Sequence, residues 1–120
     1  ATLESLAYQT KDVIDVMERD SNLKLKSLKV DGGACKNNYL MQFQSNLINS
    51  EVLRPKIIES TAMGAGYLAG ISSSLWDKDK IVSNQKIDKK FNSKIDSIKR
   101  KILYKGWEKA VKRTLNWLEN

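Results

Sequence analysis

Lys29-Val30-Asp31-Gly32-Gly33-Ala34-Cys35-Lys36-Asn37-Asn38-Tyr39 is the stretch on which the fold of this chain turns. An apolar, strand-like run (Leu23, Leu25, Leu28, Val30) ends in Asp-Gly-Gly, and an amphipathic run begins at once with Tyr39, Leu40, Phe43 and Leu47. Two adjacent glycines at a strand-to-helix turn remove both Cβ atoms where a ligand can approach the backbone. A helix starting there aims its free N–H groups and positive dipole end at the same spot. That geometry suits a phosphate-bearing ligand, a nucleotide above all.

Working outward, residues 24–31 read as a strand and residues 37–48 as a helix. Asn49-Ser50 is a turn, and Glu51-Val52-Leu53-Arg54 is a short strand stopped by Pro55. Upstream, Leu3, Leu6, Thr10, Val13, Ile14 and Met17 recur at helical spacing, which predicts a helix over residues 3–20 with Thr2 as N-cap and Asp20-Ser21-Asn22 as its stop. Downstream, residues 60–75 form a third predicted helix, capped by Ser60 or Thr61. It carries Gly64, Gly66 and Gly70. Glycine inside a helix costs about 1 kcal/mol relative to alanine, so these positions predict another backbone packed close. Residues 77–92 are polar and read as a loop, and residues 94–118 as a long final helix with Ile95, Ile98, Ile102, Ala110, Val111, Leu115 and Leu118 as its apolar set. The order helix-strand-helix-strand-helix plus a long C-terminal helix predicts an α/β fold with a parallel sheet and right-handed crossovers. Two strands make a poor independent core, so the chain reads as a segment of a larger domain.

Composition narrows the function classes. A single cysteine, Cys35, cannot form an internal disulfide, which predicts a reducing, cytoplasmic setting. No apolar run approaches the ~20 residues of a membrane span, and the first residues carry no basic-then-apolar signal. The net charge is +7, with many lysines between Lys78 and Arg113. Aromatics are not interleaved with them as stacking platforms, so a solvated face is favoured over a nucleic-acid surface. The basic interaction module stays as the rival reading from another class.

No G-x-x-x-x-G-K-[ST] phosphate loop is present. Gly64-Ala65-Gly66 with Gly70 misses the dinucleotide spacing by one residue and lies inside a helix, as a packing feature does. The chain has no histidine, which excludes Cys/His zinc sites and Ser–His or Cys–His catalysis. Asp31 reads as a turn-holding residue rather than a general base. Asn37 and Asn38 fall in the first turn of the second helix; an amide there serves an adenine edge or an ordinary cap, and the pattern alone leaves both open. Trp76, Trp107 and Trp117 read as covers for the core.

Taken together, Val30-Asp31-Gly32-Gly33-Ala34 and Asn37-Asn38-Tyr39-Leu40-Met41-Gln42-Phe43-Gln44 resemble the adenosine-binding segment of the glycerol kinases, within the FGGY carbohydrate kinases and the actin-like, ribonuclease H-like ATPase fold. Leu3–Val13, Arg54-Pro55, Glu59–Gly70 and Tyr104–Arg113 fit the same pattern, in order, so the resemblance covers nearly all of the chain. It implies that residues 1–120 are the C-terminal part of the nucleotide-side domain. The implied reaction transfers the γ-phosphoryl of ATP to glycerol, using Mg²⁺ held elsewhere in the parent enzyme. Gly33 and Asn37 match family positions at the nucleotide, with Gly32, Ala34 and Asn38 as neighbours shaping that wall. No catalytic or metal-binding residue is implied here. Glycerol-binding residues and the N-terminal part of the kinase are implied upstream, so the segment alone is expected to be inactive and to bind nucleotide at millimolar strength or weaker. A homo-oligomer without nucleic-acid or membrane partners is expected, and the isolated segment is expected either to dimerise through the edge of the strand at 24–31 or to be unstable. Another FGGY sugar kinase, acting on xylulose or gluconate for example, is the alternative within the class. In some bacterial members a Pro-Gly-Ile-Glu pattern before the last helix binds an inhibitory phosphocarrier protein. Ser93-Lys94-Ile95-Asp96-Ser97-Ile98-Lys99-Arg100 departs from that pattern, which argues against such control.

Overall fold

The computed structural model describes residues 1–77, 79, 81 and 86–115. Helix α1 spans Thr2–Ser21, followed by β1 (Ser27–Lys29), a 3₁₀ turn (Gly33–Lys36), α2 (Asn38–Ile48), β2 (Glu51–Pro55), α3 (Ser60–Ser72), β3 (Ile87–Phe91) and α4 (Ser97–Thr114). Both predicted stops after α1 and α2 are real. Asn22 (φ 56°) and Asn49 (φ 55°) end these helices in the left-handed conformation that asparagine tolerates. The α1 N-cap is Ala1, one residue before the expected Thr2, and α3 begins after Glu59.

The sheet corrects the sequence reading. Its order is β1-β2-β3, with β1 parallel to β2 and β3 antiparallel to β2. It therefore has three strands and is mixed, where two parallel strands were expected. The extra strand, Ile87–Phe91, lies inside the stretch that reads as a loop. Val52 pairs with Phe91 and Arg54 with Lys89, with an irregularity between Arg54 and Pro55. Proline fits there because it cannot donate to a ladder. β2 is the central strand, and Val52 and Leu53 are buried on it.

The core lies between the sheet, α2 and one side of α1. Ala7, Cys35, Leu40, Met41, Leu47, Val52 and Phe91 form it, with Tyr8, Leu28, Val30 and Phe43 packed around them. α1 buries Ala7 and Ile14, while Leu3, Leu6, Val13 and Met17 of the expected apolar stripe are exposed. The final helix buries no residue fully; Leu103 packs against the core, and polar and aromatic contacts hold the rest. Asp12 accepts hydrogen bonds from the Tyr104 hydroxyl and, at 2.8 Å, from the Trp107 indole N–H. The Trp107 ring stacks on Tyr8 at 5.3 Å between centroids. Arg100 donates to the Asn46 carbonyl (2.7 Å) and to Asn49 Oδ1 (2.7 Å), fixing the start of α4 to the end of α2. Asp96 N-caps α4 through the Lys99 N–H. Trp117 and Leu118, expected on this helix, lie outside the described residues.

Among the described residues, Gly64 and Gly66 of α3 have no close backbone neighbour. A Cβ at Gly64 or Gly66 meets open space. Gly70 differs, since a Cβ there overlaps the Trp76 ring, which folds back over the helix end. The Leu75 and Trp76 N–H groups donate to the Gly70 carbonyl, and Ser74 turns at φ 59° to allow it. Trp76 remains half exposed, so it caps a helix end and does not cover the core.

Candidate nucleotide site

The glycine turn sits at the carboxyl end of β1, beside the segment that leaves β2. In open α/β sheets this end is where ligands bind. Pairing continues past β1 through the Val30 N–H to the Leu53 carbonyl (3.1 Å), and the Gly32 N–H then donates to the Ile58 carbonyl (2.8 Å). Gly32 adopts φ 79°, ψ 174°, a region open essentially only to glycine. Its carbonyl accepts from the Cys35 N–H (3.2 Å) and from the Cys35 thiol (2.9 Å). Burial pushes the Cys35 thiol up from its ordinary value, so the sulfur is an inert anchor.

The turn differs from the expected strand-to-helix junction in one respect. A 3₁₀ turn, Gly33–Lys36, follows the glycines, and α2 starts only at Asn38. The α2 terminus is already served by Asn37, whose Oδ1 accepts from the Leu40 N–H at 3.0 Å. Asn37 is thus the N-cap rather than a first-turn residue, and the positive end of α2 is displaced from Gly32 and Gly33. Its amide nitrogen keeps two donors that the cap does not use.

Gly33, Ala34, Asn37 and Asn38 are all exposed, and Gly32 is half-buried. A Cβ at Gly33 meets nothing within 4 Å, so bare backbone faces open space there. Asn38 is tethered at the surface, with its Oδ1 accepting from Arg54 Nη1 at 2.9 Å. The adjoining depression, about 280 Å³, is lined by Lys36, Arg54, Pro55, Lys56, Ile58 and Asp88. Gly32, Gly33, Ala34 and Asn37 lie outside that lining and form a wall beside it, exposed except at half-buried Gly32. A wall of this kind contacts one side of a ligand and leaves the other side to a facing surface. Among the described residues, no three His, Cys, Asp or Glu side chains come together to hold a metal ion.

Sequence reasoning missed Arg54 and Asp88 at this site. Arg54 is one of four arginines in a lysine-rich chain and stands at a strand end before the only proline, a signal that was available. Asp88 could not be found without β3.

Comparison with solved structures sets the class. The chain superposes on a Plasmodium falciparum glycerol kinase solved with ADP, with a TM-score of 0.81 and 39% identity, over 97% of this chain and 24% of that one. It also matches a Lactobacillus acidophilus xylulose kinase, with a TM-score of 0.58 and 19% identity, over 76% of this chain and 19% of that one. The fold is a portion of the actin-like ATPase domain shared by these carbohydrate kinases. Residues 1–73 match the model of the FGGY family of carbohydrate kinases, C-terminal domain, and the chain belongs to that family. It is 59% identical to Bacillus subtilis glycerol kinase over 96% of its own length and 23% of that protein. The chain spans about a quarter of the length of the curated relatives it matches.

Proposed function

We propose that this chain is the nucleotide-side C-terminal segment of a kinase that transfers the γ-phosphoryl of ATP to glycerol, giving glycerol 3-phosphate. The observation that carries the reading is the open glycine turn, within a chain that superposes almost entirely on a glycerol kinase holding ADP. Gly33 and Ala34 offer backbone to the nucleotide, and Gly32 gives the turn its shape. The Asn37 amide nitrogen donates to an acceptor on the adenine edge while its oxygen caps α2. Asn38 supports the wall from behind through Arg54.

Among the described residues, no cluster of side chains fits a metal site. Magnesium accompanies the nucleotide phosphates in our reading and is held by residues outside this segment. Phosphoryl transfer needs donor, metal and acceptor positioned together, so these residues alone do not phosphorylate glycerol. The partners implied are the N-terminal part of the same kinase and glycerol, in a cytoplasmic homo-oligomer. Glycerol is preferred over a five-carbon sugar because the likeness to the glycerol kinase is closer in both fold and sequence.

The test is Gly33→Val in a full-length kinase carrying this segment. The added side chain enters space that is empty without nucleotide. We expect the fold to persist and the KM for ATP to rise at least about tenfold, the loss of roughly 1.4 kcal/mol of binding. Unchanged ATP affinity in a folded variant would remove the nucleotide from this turn.

A further inference from the structure

We propose that Arg54 is a positioning residue for the nucleotide turn, held in place by Asp88; this rests on the nucleotide reading above. The physical need for such a residue comes from the glycines. Two adjacent glycines give the backbone wide conformational freedom, so the surface they offer a ligand has to be fixed from outside the turn. The Gly32 N–H bond to Ile58 fixes its start. Its far end is fixed by one guanidinium. Arg54 Nη1 donates to the Cys35 carbonyl at 3.0 Å, the Lys36 carbonyl at 3.2 Å and Asn38 Oδ1 at 2.9 Å. These acceptors follow Gly33 and Ala34 directly, and the last belongs to the first residue of α2.

The other side of the guanidinium is equally committed. Nε and Nη2 both lie 2.8 Å from Asp88 Oδ2, and the group rests over the Phe91 ring, 5.5 Å from its centroid. The Arg54 side chain is only 13% exposed. With its three nitrogens engaged and its charge matched by Asp88, Arg54 shapes the turn instead of presenting a cation to phosphates. It ties the glycine turn, α2 and β3 together from the end of β2. Lysine cannot replace it, because a single ammonium cannot reach the turn carbonyls and the Asp88 carboxylate at once in this planar arrangement.

The experiment uses a full-length kinase carrying this segment and four variants: Arg54→Lys, Arg54→Ala, Asp88→Asn and Gly33→Val. For both Arg54 variants we expect the KM for ATP to rise about tenfold, with kcat and the KM for glycerol held within about twofold, as the loss of several hydrogen bonds from a charged group implies. Asp88→Asn is expected to shift the KM for ATP in the same direction and less. Should Arg54→Ala fail to fold, Arg54→Lys and Asp88→Asn decide the matter. A folded Arg54→Lys enzyme with unchanged ATP affinity overturns the proposal, as does a parallel loss of kcat and glycerol affinity, the pattern of general structural damage. If Gly33→Val weakens ATP binding while the Arg54 variants do not, the positioning role alone fails. If Gly33→Val leaves ATP binding intact, the nucleotide reading and the positioning role fall together.

Discussion

The two adjacent glycines have different physical jobs. Gly32 stands at φ 79°, where a Cβ is strained whatever the surrounding space, whereas Gly33 lies in an ordinary conformation facing open space. Gly32→Ala is therefore expected to destabilise the fold by about 1–3 kcal/mol, the cost of holding a side chain in a glycine-only region. Gly33→Ala is expected to leave stability nearly unchanged. Equilibrium urea unfolding of the two variants checks this, and equal losses would contradict it. The sequence displayed the pair but not the division of labour, since backbone angles are set by the Ile58 and Cys35 bonds on either side. Asn37 shows the same limit. A cap and a ligand amide look identical in sequence, and the structure shows the capping oxygen in use.

Among the elements, α4 invites a pH experiment. Its junction with α1 depends on the Tyr104 hydroxyl and the Trp107 indole meeting Asp12. Burial, followed by the bond to Asp12, pushes the Tyr104 phenol well above its ordinary 10.0. The folded chain thus keeps a proton that the unfolded chain releases. The stabilisation is complete below about pH 10 and is lost as the pH rises from there towards the folded value. Tyr104→Phe is expected to cost about 1 kcal/mol at neutral pH and to flatten this alkaline loss. Denaturation curves at pH 8 through 11 measure both effects, and an unchanged alkaline slope would rule out Tyr104 as its source.

The helices were readable from their periodicity, but which face they bury was not. α1 carries apolar residues on two sides, and only Ala7 and Ile14 are buried, with Tyr8 packed against the core. β3 escaped because Asp88, Lys89 and Lys90 crowd its middle, leaving Ile87 and Phe91 as isolated apolar ends. Charged middles of this kind suit an edge strand, where they discourage pairing with other chains.

At the scale of the whole molecule, the chain is less compact than its length allows. Its radius of gyration is 18.0 Å, against about 14 Å for a compact domain of this size. Leu6, Val13 and Met17 on α1 and Leu68 on α3 lie in the open, and β1 is a sheet edge. Produced by itself, the 120-residue chain is expected to self-associate or aggregate, as exposed edges and apolar patches do. Light scattering during size-exclusion chromatography reads this directly, and a monodisperse, heat-resistant monomer would oppose it.

The linkage of Arg54 to Asp88 also bears on where such a kinase can be dissected. The stretch that matches the family model stops at Ser73, yet the carboxylate steadying Arg54 comes later, on Ile87–Phe91. Chimaeras or split enzymes joined between those points would inherit the loop from one parent and its brace from another. Breakpoints placed after Phe91 keep loop and brace under common ancestry.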